Sequence, residues 1–291
     1  METQHITHFR PLAELMPTAW QQGSVTTAQD VHIHYLRTGG TKAPIILLHG
    51  FQTAGITWMR TAKALAGYDV IMPDFRGHGL SSGIEYGFSA EILTEDIAAL
   101  IRSLKLDPVF VAGHSMGGEI AGRLAATHPD MVRALVLVDP PLRPFNLPPI
   151  DLNNPPTWLQ ATVNALRSIK TQAHAQRLLT MQALVAPGSA QWNEIDYVTS
   201  AEAAAQFDLK TFNARVDYQL ATTEMVKHIT CPILLMTSRG MPGTDVAQNV
   251  SVLTDNWHDG EHIHFADSGH FIMADQFERF SEALTNFLGD N

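Results

Sequence analysis

A serine hydroxyl attacks a carbonyl carbon only when a neighbouring group takes its proton. The stretch PVFVAGHSMGGEIAG (108–122) therefore raises the question of what would activate Ser115. Ser115 stands in the frame G-x-S-x-G, as Gly113-His114-Ser115-Met116-Gly117, after an apolar run and before a helical pattern. A strand that turns sharply into a helix there holds the serine in an unusual backbone conformation, and residues without side chains give it room. The helix N-terminus then faces any oxyanion formed on a substrate. A second stretch, LLHGFQTAGITW (47–58), places His49-Gly50-Phe51 in the loop after an apolar run. The backbone N–H groups of Phe51 and Met116 could converge on a tetrahedral oxyanion. A third, DSGHFIMADQ (267–276), sets His270 after the last apolar run and before the final helical pattern, where an imidazole could take the serine proton.

These residues need a scaffold that brings distant loops to one place. VHIHYL (31–36) alternates like a strand. PIILLHG (44–50), DVIMPD (69–74), PVFVAGHS (108–115), ALVLVD (134–139), PILLMTS (232–238) and HIHFAD (262–267) are nearly continuous apolar runs. Such runs suit strands buried on both faces of a parallel sheet. Helical patterns lie between them, at 57–67, 89–104, 116–129 and 276–288. The alternation predicts an α/β fold, a doubly wound and mostly parallel sheet. From Pro140 to Thr230 no strand pattern is read. A proline-rich stretch (140–156) is followed by amphipathic helical patterns at 157–170, 173–186 and 211–228. The expected organisation is a core of residues 1–139 and 231–291 carrying a helical cap, 140–230.

Hydrophobic residues make up 45% of the chain and charged residues 16%, as in a globular protein with a sizeable core. The net charge of −10 with no basic cluster argues against nucleic acid as a partner. The single cysteine, Cys231, allows no intrachain disulfide. No run approaches the roughly 18 apolar residues of a membrane span. The N-terminal segment carries Glu2 and Glu14 and lacks a secretory apolar core. The expectation is a soluble cytoplasmic protein without a membrane partner. The segment WHDGEHIHFADSGH (257–270) holds four histidines, with His262 and His264 on one face of a strand. No ligand set elsewhere completes them, and neither a metal nor another cofactor is expected.

HGF (49–51), DFRGHGLSSG (74–83), GHSMGG (113–118) and SGH (268–270) stand in the order and spacing of the sequence blocks of the α/β-hydrolase family, which the chain resembles from about residue 28 to 288 apart from the cap. The resemblance implies a nucleophile, an acid and a histidine in that chain order, and a mainly structural role for Arg76 and His78. Most members place the acid shortly after the strand that here reads CPILLMTS. That register falls near Met241, which cannot serve. Two carboxylates remain. Asp139 ends the strand after the nucleophile helix, a placement that some members of the family use, and it is the favoured acid. Asp245 lies a few residues past the usual position and is the alternative, although GTDVAQ also reads as a helix N-cap.

Dehalogenation and epoxide hydrolysis in this fold use a carboxylate nucleophile, and position 115 is serine. A serine suits an acyl-enzyme formed from a carboxylic ester or lactone. His49, His114, Trp158 and Met181 are candidate substrate contacts; most apolar residues of the cap are read as its own core, and some as the lining of an apolar acyl pocket. A slow-turnover small-molecule receptor, a C–C bond hydrolase and a peroxidase-like activity are the alternatives on the same fold.

Overall fold

The computed structural model describes residues 6, 9–27, 30–85, 87–106, 108–142, 145–184, 191–214, 216–218, 223–240 and 246–291. The main sheet has eight strands: β1 (Gln21–Thr26), β2 (His32–Arg37), β3 (Lys42–Leu48), β4 (Tyr68–Pro73), β5 (Val109–His114), β6 (Val132–Val138), β9 (Ile233–Ser238) and β10 (Gly260–Phe265). Strands β7 (Phe145–Leu147) and β8 (Val216–Tyr218) form a separate ribbon. The sheet order is β1-β2-β4-β3-β5-β6-β9-β10. From β4 to β10 every pairing is parallel, while β1 and β2 are antiparallel at one edge. β1 reads as polar (QQGSVT) and has no counterpart among the sequence-predicted strands; it forms because β2 offers it an edge.

The continuous apolar runs are buried on both faces because helices cover both. Ile46, Leu48, Val111, Leu135, Leu137 and Leu235 face the helices Ala90–Leu104 and Met116–Thr127. Their neighbours Ile45, Leu47, Phe110, Val136, Leu234 and Met236 face the other way, toward Met59–Ala64 and Phe277–Asp290. Each fully buried branched side chain of this kind contributes about 1.5–3 kcal/mol.

Between β6 and β9 the chain leaves the main sheet. The helices Thr157–Thr171 and His174–Leu184 lie where helical spacing predicts them. The sequence expectation fails at two points in this interval. It is not strand-free, since β7 and β8 pair antiparallel over three residues each. The segment 211–228 is not one amphipathic helix: it holds a short 3-10 turn (Leu209–Asn213), β8 and the one-turn helix Thr223–Val226. A further helix, Glu194–Gln206, was not singled out by its apolar spacing, although a capping box of Asn193 and Asp196 starts it.

The inserted helices are tied to the sheet domain by directed contacts. Arg60 Nη1 donates to Asp196 Oδ2 (2.7 Å) and to the Gln191 carbonyl (2.7 Å). Arg10 forms an ion pair with Glu194 (2.6 Å). Trp192 Nε1 donates to Asp275 Oδ1 (2.7 Å). Phe51 meets Phe207 and Phe212 edge-on, with ring centroids 5.3 and 5.4 Å away.

Candidate active site

β3 leads on to β4 on one side of the sheet, and β5 leads on to β6 on the other. The carboxyl ends of β3 and β5, which pair with each other, therefore flank a switch point, the usual place for a ligand in an open α/β sheet. The loop after β3 carries Gly50 and Phe51, and the turn after β5 carries Ser115.

Ser115 has φ +53° and ψ −120°, a conformation that L-residues avoid and that needs support from its surroundings. Its N–H donates to the Val138 carbonyl (2.9 Å), and its carbonyl accepts from Gly118 N–H (2.8 Å). A Cβ on Gly113 would sit 2.1 Å from the Gly117 carbonyl oxygen, and one on Gly117 would sit 2.3 Å from the Leu48 carbonyl oxygen. The two glycines thus let strand, turn and helix pack together. Among the described residues the N–H groups of Phe51 and Met116 carry no hydrogen bond.

Asp139, next to the end of β6, also has a positive φ (+46°). Its Oδ2 accepts a hydrogen bond from His270 Nδ1 (2.6 Å). Ser238, the last residue of β9, donates its N–H to Asp139 Oδ1 (2.8 Å) and its hydroxyl to Oδ2 (2.9 Å). Burial pushes the Asp139 carboxyl up, but the bonds from His270 and Ser238 outweigh it and hold it below the ordinary carboxylate range. An ionised Asp139 keeps the proton on Nδ1 and leaves Nε2 of His270 open. No hydrogen bond joins the Ser115 hydroxyl to the His270 ring in this structure. Asp245 lies outside the described residues.

His49 is buried with both ring nitrogens engaged: Nδ1–H donates to the Gly50 carbonyl (2.7 Å), and Nε2 accepts from Phe75 N–H (3.0 Å). Burial lowers its pKa to about 4, so it is neutral. These bonds peg the Phe51 loop to the loop after β4, and His49 also lines a small cavity with Thr53, His114 and Phe271. His78 continues this stitching, accepting from Gln52 N–H (3.3 Å). Arg76 forms a buried, two-point ion pair with Asp96, with both bonds at 2.7 Å. His114 is buried as well, and burial together with the His270 charge pushes its pKa down to about 3. Its Nε2–H donates to the backbone carbonyl of His270 (2.8 Å), tethering that loop.

A cavity of about 530 Å³ opens against His270, Phe51 and Phe271. Ala161, Ala165, Leu166, Ile169, Met181 and Leu184 make its apolar wall, with Gln52, Arg239 and Asp267 as polar members. Met181 lines this cavity. Trp158 does not: it is 70% exposed and lines no part of the cavity, because the buried stripe of its helix begins one residue later, at Leu159. Ser238, Trp192 and Asp275 escaped sequence reasoning; Asp275 binds both Trp192 Nε1 and Gly269 N–H (2.9 Å), fixing the turn before His270.

Among the described residues no three His, Cys, Asp or Glu side chains cluster to hold a metal ion. His262 and His264 share a strand face, and one ring nitrogen of each, His262 Nε2 and His264 Nδ1, meets the Thr237 hydroxyl (2.9 and 3.0 Å). No helix of the described residues is long and apolar enough to cross a membrane.

A mostly parallel, helix-covered sheet with a strained serine after β5 and a histidine after the last strand defines the α/β-hydrolase architecture. The family model described as "alpha/beta hydrolase fold" matches residues 43–277, and the chain belongs to that family. It is 39% identical over 122 residues to the N-formylmaleamate deformylase of Pseudomonas putida, a match covering 41% of this chain and 46% of that protein. It is 37% identical over 142 residues to an esterase of Mycobacterium tuberculosis, covering 47% of each. The chain thus spans about half the length of the curated relatives it matches. The crystal structure of an N-formylmaleamic acid deformylase from Pseudomonas putida S16 superposes with a TM-score of 0.69 at 22% identity, over 91% of this chain and 100% of that one.

Proposed function

We propose that the protein is a serine hydrolase that cleaves a carboxylic ester or lactone through an acyl-enzyme. The observation that carries this reading is the 2.6 Å bond from His270 Nδ1 to Asp139, beside a serine held at φ +53°. Asp139 fixes the tautomer, and His270 Nε2 takes the proton of Ser115 as its oxygen attacks the carbonyl carbon. The oxyanion of the tetrahedral intermediate is met by the N–H groups of Phe51 and Met116. Collapse expels the alcohol, which receives the proton from Nε2. Water, deprotonated by the same nitrogen, then releases the acid and restores the serine. The cavity is within the usual range for small-molecule sites, and its apolar wall favours an apolar acyl group. The inserted residues 140–230 act as the cap that selects this group.

A second reading is hydrolysis of an N-formyl amide. It draws on the likeness to a deformylase in both sequence and fold, and the same residues would attack a formyl carbonyl. A panel of chromogenic acyl esters of graded chain length, lactones and an N-formyl amide separates the two. Sustained turnover of esters or lactones is expected. A burst of product without turnover would instead favour a receptor, and turnover of the amide alone would favour the deformylase reading.

A further inference from the structure

We infer that Ser238 is a positioning residue, which locks the Asp139 carboxylate from the neighbouring strand so that one oxygen faces His270. The inference rests on the proposed serine–histidine–aspartate chemistry. β6 and β9 are parallel neighbours with Val138 paired to Met236, so Asp139 emerges beside the last residues of β9. Its N–H donates to the Met236 carbonyl (2.8 Å), and its positive φ belongs to a backbone bent out of the strand at that point. The carboxylate then receives three donors, two of them from Ser238: the N–H on Oδ1 and the hydroxyl on Oδ2, the oxygen that His270 uses.

Ser238 is 2% exposed, so water does not replace it readily. Its hydroxyl oxygen accepts from Gly240 N–H (3.2 Å), which leaves the hydroxyl proton for Asp139. One residue thus grips both oxygens and fixes the plane of the carboxylate. Without the hydroxyl Ser238 holds the carboxylate only at Oδ1, and the carboxylate can pivot about that contact, away from Nδ1. In the family that the chain resembles, the region just after this strand commonly supplies the acid. Here the strand end supplies the donors that hold an acid coming from next door.

The test is a double-mutant cycle on the full chain, read as kcat on the best ester of the panel and as the rate of fluorophosphonate labelling of Ser115. Ser238→Ala is expected to lower both rates about 10- to 100-fold, the usual weight of a hydrogen bond to a charged group, with KM changed by less than about threefold. Ser238→Cys keeps the side chain's approximate size but donates poorly, so it should fall with alanine even if the alanine variant folds badly. In an Asp139→Asn background the same Ser238 substitutions should cost no more than about twofold, because the group they position is already disabled. A merely structural serine would cost the same in both backgrounds, and that result, or unchanged rates in Ser238→Ala and Ser238→Cys, overturns the proposal while leaving the triad intact. Unchanged rates in Asp139→Asn alone would instead overturn the triad reading, and the role of Ser238 with it.

Discussion

The strand ends beneath the cavity and the helices above it are built differently. Below, almost every polar group is held by directed bonds: Asp139 by three donors, His49 through both ring nitrogens, His114 on the His270 carbonyl, Arg76 on Asp96. Above, the cavity wall is mainly apolar, with Ala161, Ala165, Leu166, Ile169, Met181 and Leu184 packing without directional demands and Thr162, Ser200 and Trp192 as its few polar members. Directed networks fail when one member changes, whereas apolar walls of similar volume tolerate exchange. On the proposed function, the chemistry belongs to the floor and the choice of substrate to the roof.

The largest effect should come from the floor. Ser115→Ala is expected to lower kcat at least about a thousandfold on any ester the wild type cleaves, with the fold unchanged by circular dichroism. A fluorophosphonate should add its mass to Ser115 and to no other residue. Turnover surviving in the alanine variant would remove the floor from the chemistry altogether.

Asp196 sharpens the contrast because it places a buried, directed charge in the roof. Burial raises its pKa to about 6, against the partial opposition of Arg60 and Asn193. The folded state therefore holds this proton more tightly than the unfolded chain, where the ordinary value is 3.8. The stabilisation it brings is complete below about pH 4 and is lost as pH rises through about 6, at most about 3 kcal/mol in all. Thermal unfolding of Asp196→Asn should accordingly vary less between pH 4 and 6 than that of the wild type. A wild-type slope retained in full by the variant would show that another group carries it.

The smallest effects belong to the apolar roof. Met181→Ala enlarges the cavity and should shift the preferred acyl chain length, changing kcat/KM ratios several-fold while kcat on the best substrate stays within about threefold. Trp158→Ala, outside the cavity, should leave that preference within about twofold. A larger shift from Trp158 than from Met181 would mean that the selecting surface lies at the exposed N-terminal turn of the helix rather than along the cavity.

The same contrast explains what the sequence discloses. The placement of Ser115, Phe51, Met116, His270 and Asp139 at strand ends is readable, because each follows an apolar run or sits inside a glycine-bounded turn; the sequence itself left the acid open between Asp139 and Asp245. Ser238 is not, since a serine closing a strand has no pattern of its own and its role depends on which strand lies alongside. The roof is harder to read. Helical spacing gives Thr157–Thr171 and His174–Leu184, but only tertiary packing decides that Met181 faces in and Trp158 faces out. Glu194–Gln206 is buried on several sides, so it lacks the one-sided apolar pattern of a surface helix, and only its capping box announces it. His49 follows the same logic, since its two backbone partners are visible only in the folded chain.

The central claim is that Asp139 orients His270 for Ser115, and a paired comparison of Asp139→Asn with Asp245→Asn tests it most directly. Asparagine at 139 offers an amide where Nδ1–H needs an acceptor, which favours the wrong imidazole tautomer; in a comparable triad this costs about 10⁴ in kcat. Asp139→Asn is therefore expected to lose several orders of magnitude in kcat while remaining folded, and Asp245→Asn to stay within about tenfold of the wild type. The reverse ranking would assign the acid to Asp245, and full activity in both variants would reduce the site to a serine–histidine pair.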